Sequence, residues 1–212
     1  MDIAAITGLA PAIPVLTIDR VADAVPLARA LVKGGLPVLE IALRTPAAVE
    51  AVKSIVAAVP DAIVGAGTIL NERQLGEARE AGARFGVSPG CTDALAAAIK
   101  TAGMPFLPGV QTVSEALTLG EQGFRLLKFF PAGSAGGLGW LKAVGPPLAG
   151  VKFCPTGGIS QENAAAYLAL PNVTCVGGSW VAPGAMVAAG RWLEIEQLAR
   201  AAATLKRGSA HP

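Results

Sequence analysis

The feature that most constrains this chain is an alternation of short apolar runs with longer segments of helical period, sustained along nearly its whole length. Runs of strand length stand at residues 13–17, 38–44, 62–66, 85–87, 106–108, 126–130, 151–155 and 173–176. Between them the period turns helical over 23–33, 46–58, 72–81, 92–102, 113–121 and 161–169, with a short piece at 140–144. Several of these segments open with Pro, Asn or Thr and close at Gly, as helices do. Strands joined by crossover helices pair in parallel. Eight such units in 212 residues leave roughly 26 residues each, close to the smallest βα repeat, so no second domain fits. The pattern predicts a single α/β domain over residues 1–212, a closed (β/α)8 barrel with a short N-terminal helix. The alternative, an open doubly wound sheet, lacks its fingerprint: Gly65 and Gly67 supply G-x-G, but Leu70 stands where the third glycine belongs.

Composition narrows the function classes. Hydrophobic residues make up 52% and charged residues 15%, which suits a buried core and not a disordered chain. A formal net charge of +2, with Lys and Arg scattered, provides no basic face for nucleic acid. No apolar run reaches the ~18 residues of a membrane span, and no basic residue precedes Arg20 as a secretory leader would require, so the expectation is a soluble cytoplasmic protein. Cys91, Cys154 and Cys175 are odd in number and far apart, which suggests reduced thiols. The sole histidine is His211, in a tail (209–212) expected to be disordered. Serine-histidine, cysteine-histidine and histidine-zinc catalysis therefore lack an imidazole, and catalysis would rest on Lys, carboxylates, hydroxyls and backbone.

Two charged residues interrupt apolar strands. In Val38-Leu39-Glu40-Ile41-Ala42-Leu43-Arg44, the aliphatics Leu39, Ile41 and Leu43 share one face, which leaves Glu40 and Arg44 on the other, toward the barrel interior. A carboxylate there is costly unless paired or used. A structural Glu40–Arg44 ion pair and a functional role are both open at this level. The second is Lys128, in Leu126-Leu127-Lys128-Phe129-Phe130, the only lysine in the middle to late part of a strand. Its apolar neighbours would desolvate the ammonium and favour the neutral amine, the form that attacks a carbonyl. The competing reading is a buried lysine satisfied by a carboxylate such as Glu40.

Glycine pairs follow the last two expected strands: Pro155-Thr156-Gly157-Gly158-Ile159-Ser160 and Gly177-Gly178-Ser179-Trp180. In (β/α)8 barrels these two loops commonly hold phosphate through backbone N–H groups, although glycine pairs also make plain tight turns. A third glycine-rich stretch, 133–139, has no counterpart and reads as a mobile loop.

With these residues in place, the sequence resembles the 2-keto-3-deoxy-6-phosphogluconate (KDPG) aldolases, including bifunctional forms that act on 4-hydroxy-2-oxoglutarate (KHG). The segments LEIALRTPAAVEAV, GAGTIL, AGARFGVSPG, FLPGVQTVSEAL, LKFFPA, PTGGI and CVGGSW occur in the family's order and spacing. Val113 departs from the proline found in many members, at the start of a helix remote from the proposed chemistry. The resemblance implies a class I aldolase with Lys128 as Schiff-base lysine and Glu40 as proton-transfer carboxylate. It further implies Arg44 and Thr68 on the substrate carboxylate, Phe130 and Thr156 as pocket walls, and Gly157, Gly158 and Ser179 around the phosphate. The partners it implies are small 2-oxo acids, with no cofactor and no metal, and the assembly a homotrimer. Two other classes fit the residues alone: a phosphosugar isomerase or synthase with Glu40 as base, and a non-catalytic phosphometabolite-binding barrel.

Overall fold

The computed structural model describes residues 1–208; the tail expected to be disordered, with His211, lies outside the described residues. A short helix α1 (Ile3–Thr7) opens the chain, as expected. Parallel strands then alternate with helices: β1 (Ala12–Leu16), α2 (Val21–Lys33), β2 (Val38–Ala42), α3 (Ala48–Ala58), β3 (Ile63–Gly67), α4 (Glu72–Glu80), β4 (Phe85–Val87) and α5 (Asp93–Ala102). The second half continues with β5 (Phe106–Leu107), β6 (Gly109–Val110), α6 (Val113–Glu121), β7 (Leu126–Phe129), α7 (Gly137–Val144), β8 (Lys152–Pro155), α8 (Ala164–Leu168), β9 (Val176–Gly178), α9 (Gly184–Ala188) and α10 (Trp192–Ala203).

The strands form a curled six-stranded sheet in the order β5-β4-β3-β2-β1-β9 and a three-stranded sheet β6-β7-β8, every pair parallel. The expected strand 106–108 is divided because Pro108 has no N–H for the ladder. Its carbonyl still accepts the Lys128 N–H at 2.8 Å. On the other side, isolated bridges Phe153–Val173 and Thr156–Gly177 connect the three-stranded sheet to the last strand.

Strand alternation sorts the side chains into two layers. Ile13, Val38, Phe85, Leu107, Leu126, Cys154 and Cys175 form one buried cluster, capped by Ile6 of α1. Leu39, Ile41, Val64, Leu127 and Phe129 belong to another, packed with the helices. Burying each large aliphatic or aromatic side chain contributes about 1.5–3 kcal/mol, which holds each strand in the register that sends Glu40 and Lys128 inward. Helix starts follow their caps: Asn71, Thr92 and Thr112 accept the N–H of Gln74, Leu95 and Glu115.

The last strand runs over Val176–Gly178 and not 173–176, so Gly177 and Gly178 lie within it and do not follow it; three further differences have local reasons. The second strand stops at Ala42, because Leu43 and Arg44 turn: the Arg44 N–H bonds its own strand at Ala42 O (2.8 Å). The segment 161–169 is helical only from Ala164, because Asn163 Oδ1 takes the Ser160 N–H (2.9 Å) and makes a side-chain turn of the preceding residues. The stretch 133–139, expected to be a mobile loop, is a turn that runs into α7 at Gly137, with Trp140 stacked on Phe129 at 4.1 Å between ring centroids.

Candidate active site

Lys128 and Glu40, 88 residues apart in sequence, meet inside the strands: Lys128 Nζ lies 3.1 Å from Glu40 Oε1, and each side chain is only 4% exposed. The register explains the meeting. Glu40 is flanked across the ladder by Val15 and Gly65, and Lys128 by Gly109 and Cys154. Gly67 leaves the space for the carboxylate, since a Cβ there would overlap it, while Gly65 and Gly109 make room for the Phe85 ring and for the backbone at Pro89. Glu40 therefore pairs with Lys128, and the alternative Glu40–Arg44 pair does not form.

Arg44, carried off the strand by the turn at Leu43, directs its Nε to Thr68 Oγ1 at 3.1 Å. Its remaining guanidinium nitrogens have no protein acceptor among the described residues, and the group stands exposed. A planar fork in this state is suited to a carboxylate, which it can hold in two parallel hydrogen bonds. Thr68 sits at φ 61°, the only non-glycine residue in the left-handed region among those described. For a β-branched residue that conformation costs about 1–3 kcal/mol, a strain that clusters at functional sites.

A cavity of about 200 Å³ collects the remaining expected residues: Arg44, Lys128, Phe130, Thr156, Gly157, Gly158 and Ser179 all line it. Glu40 lies behind Lys128, and Thr68 reaches the cavity through Arg44. The Phe130 ring centre is 5.4 Å from Lys128 Nζ. Val15 and Thr17 line the same space without having been anticipated, and Ile159 and Gly178, from the two glycine-rich segments, line it as well. Val15 and Thr17 were detectable as the positions alternating with Leu16, which packs outward. A larger cavity of about 680 Å³, bordered by Met1, Ile3, Phe106 and Phe124, brings together only exposed charged groups, Asp2, Arg125 and Lys152.

Burial also bears on the thiol of Cys175. The Cys175 thiol is pushed well above its ordinary range, first by its hydrogen bond with Cys154 and then by complete burial. The cavity therefore combines a buried amine beside a carboxylate, an unengaged guanidinium and a glycine-rich loop. These groups can attack a carbonyl, move a proton, and bind anions at two separate points.

The family model for KDPG and KHG aldolase matches residues 3–198. A 2-dehydro-3-deoxy-phosphogluconate aldolase of Pseudoalteromonas atlantica is 50% identical over 192 residues, covering 91% of this chain and 89% of that one. The KDPG aldolase of Legionella pneumophila, solved with pyruvate captured at low pH as a covalent carbinolamine intermediate, matches with a TM-score of 0.94 and 43% identity over 96% of this chain and 99% of that one. The 2-keto-3-deoxy-6-phosphogluconate aldolase of Zymomonas mobilis ZM4, solved with 3-phosphoglycerate, matches with a TM-score of 0.92 and 46% identity over 100% and 99%. The chain belongs to the KDPG and KHG aldolase family.

Proposed function

We propose that this chain is a class I aldolase that cleaves 2-dehydro-3-deoxy-6-phosphogluconate to pyruvate and glyceraldehyde 3-phosphate, and 4-hydroxy-2-oxoglutarate to pyruvate and glyoxylate. The observation that carries the reading is the buried Lys128–Glu40 pair at 3.1 Å on a cavity with a free guanidinium. The carbinolamine captured in the Legionella relative supports it.

Arg44, steadied by Thr68, holds the carboxylate of the 2-oxo acid. Glu40 takes a proton from Lys128, and the amine adds to the C2 ketone. Glu40 returns protons as the carbinolamine loses water, which leaves a protonated imine that serves as electron sink. Glu40 then accepts the C4 hydroxyl proton, directly or through water, and the C3–C4 bond breaks, with its electron pair passing into the imine. The aldehyde leaves, the enamine is protonated at C3, and water releases pyruvate and regenerates Lys128. Phe130 and Thr156 wall the reacting carbons, while Gly157, Gly158 and Ser179 hold the phosphate. The 3-phosphoglycerate in the Zymomonas relative, a phosphate ester of the same carbon length as the aldehyde product, supports a phosphorylated substrate.

The scaffold for this chemistry is one closed (β/α)8 barrel in a single domain, with β5 and β6 acting as one strand across Pro108 and the Thr156–Gly177 bridge as the seam. The assembly is a homotrimer, and the setting is cytoplasmic. A phosphorylated substrate and three free thiols, Cys91, Cys154 and Cys175, fit that setting, and no helix among the described residues is long and apolar enough to cross a membrane.

A direct assay tests the reading. Pyruvate and glyceraldehyde 3-phosphate should appear in equal amounts from KDPG. A product of unchanged mass would instead mean an isomerase, and no turnover a binding barrel.

A further inference from the structure

Asn163 and the start of the glycine-rich stretch after β7 both hydrogen-bond the loop that lines the cavity at 156–159. Ala132 N–H donates to Thr156 O and Gly133 N–H to Gly157 O, each at 2.8 Å. Asn163 Nδ2 donates to Gly158 O at 2.9 Å, while its Oδ1 accepts the Ser160 N–H at 2.9 Å. Three consecutive carbonyls are thus each held by a named donor.

A trans peptide directs its N–H to the side opposite its C=O. With Gly157 O fixed on Gly133, the Gly158 N–H points away from Gly133; with Gly158 O fixed on Asn163, the Ile159 N–H points away from Asn163. Neither N–H finds an acceptor among the described residues, and both Gly158 and Ile159 line the cavity shared with Lys128. Gly157 at φ 90° and Gly158 at φ 78° adopt a backbone open to glycine and strained for other residues, the kind of turn that turns successive amides toward an anion. The packing on the far side is tight: a Cβ on Gly133 would stand 3.3 Å from Gly158 Cα.

We infer that Asn163 is a positioning residue of the phosphate subsite: by holding Gly158 O it turns the Ile159 amide toward the phosphate of the substrate, as Gly133, holding Gly157 O, turns the Gly158 amide. The stretch beginning at Gly133 is the second brace. This inference rests on the aldolase reading of the cavity. Asn163 is not among the residues that line the cavity, and each end of its carboxamide holds a backbone partner.

The test compares Asn163→Ala with Asn163→Asp. Aspartate keeps the acceptor for the Ser160 N–H and replaces the donor to Gly158 O with a charged oxygen, so it tests loss of the donor with the turn kept, and the uncharged alanine shows that an effect seen in both variants does not come from the added charge. Both variants should raise KM for KDPG about 10- to 100-fold with kcat within about twofold, and leave kcat/KM for 4-hydroxy-2-oxoglutarate within about twofold. Calorimetric titration with inorganic phosphate should show a matching rise in Kd. Equal losses on both substrates with a fall in Tm would overturn the proposal, because Asn163 would then only support the fold. An unchanged phosphate Kd in both variants would also overturn it. If the wild-type chain failed to cleave KDPG, the aldolase reading would fall, while the phosphate titration of the two variants would still decide the role of Asn163.

Discussion

Glu40 lies so close to Gly67 that the first side-chain carbon of any other residue at 67 would overlap its carboxylate. Gly67 closes β3, paired with Ala42, and its φ is outside the left-handed region, so the requirement is for empty volume and not for an unusual backbone. Gly67→Ala should therefore move the carboxylate off Lys128 and lower turnover about 100-fold, within the range of a lost acid–base group. Overpacking should also lower stability by about 1–3 kcal/mol. Kinetics beside a thermal melt checks this. Turnover within threefold of wild type would mean that Glu40 need not stand where it does.

Glu40→Gln keeps the shape and removes the carboxylate proposed as base. Cleavage should fall by about 10²–10⁴-fold with the chain still folded. Some stability should go as well, since Lys128 would be left as a buried cation without a counter-charge. Turnover that survives while only the melting temperature moves would make Glu40 a structural partner of Lys128.

Thr68 bears its strain where Arg44 needs a hydroxyl. Thr68→Gly should melt at the same temperature or a few degrees higher, because glycine takes φ 61° at no steric cost. KM for 2-oxo acid substrates should nevertheless rise about tenfold, as Arg44 loses its acceptor. A variant that is both less stable and fully active would contradict a functional origin of the strain.

Glu40 and Lys128 were legible as candidates because charge inside an apolar strand demands a partner or a task. That they are each other's partner depended on β2 and β7, which belong to different sheets and share no ladder, facing each other across the interior, and no local pattern contains that. The Glu40–Arg44 alternative assumed that the strand continued to Arg44; the turn at Leu43 ends it two residues earlier. The stretch 133–139 looked mobile because glycine lowers local order, yet Ala132 and Gly133 donate to Thr156 and Gly157 and so become fixed. Asn163 gave a weaker signal: a side-chain turn with Ser160 was readable from residue type, but its second bond, to Gly158 O, depends on the left-handed backbone of the glycine pair.

Cys91, in the connection between β4 and α5, offers a control on the identity of the nucleophile. Its thiol is pushed up to about 11, first by burial and then by the negative charge of Asp93. At pH 8 only about 0.1% would be thiolate, against roughly a quarter of an ordinary thiol. Iodoacetamide should modify Cys91 more than about 100-fold more slowly than a free thiol at that pH, with the rate rising about tenfold per pH unit toward pH 10. Rapid alkylation at pH 8 accompanied by loss of cleavage would bring a cysteine back as rival nucleophile.

Imine formation on Lys128 is open to direct measurement. Incubation with pyruvate followed by borohydride should fix one reduced pyruvate per chain, and fragmentation mass spectrometry should place it on the peptide containing Lys128. Lys128→Arg, whose guanidinium stays protonated, should neither trap pyruvate nor cleave KDPG. An adduct on Lys142 or on the exposed Lys152, or a Lys128→Arg variant that still turns over, would contradict the account.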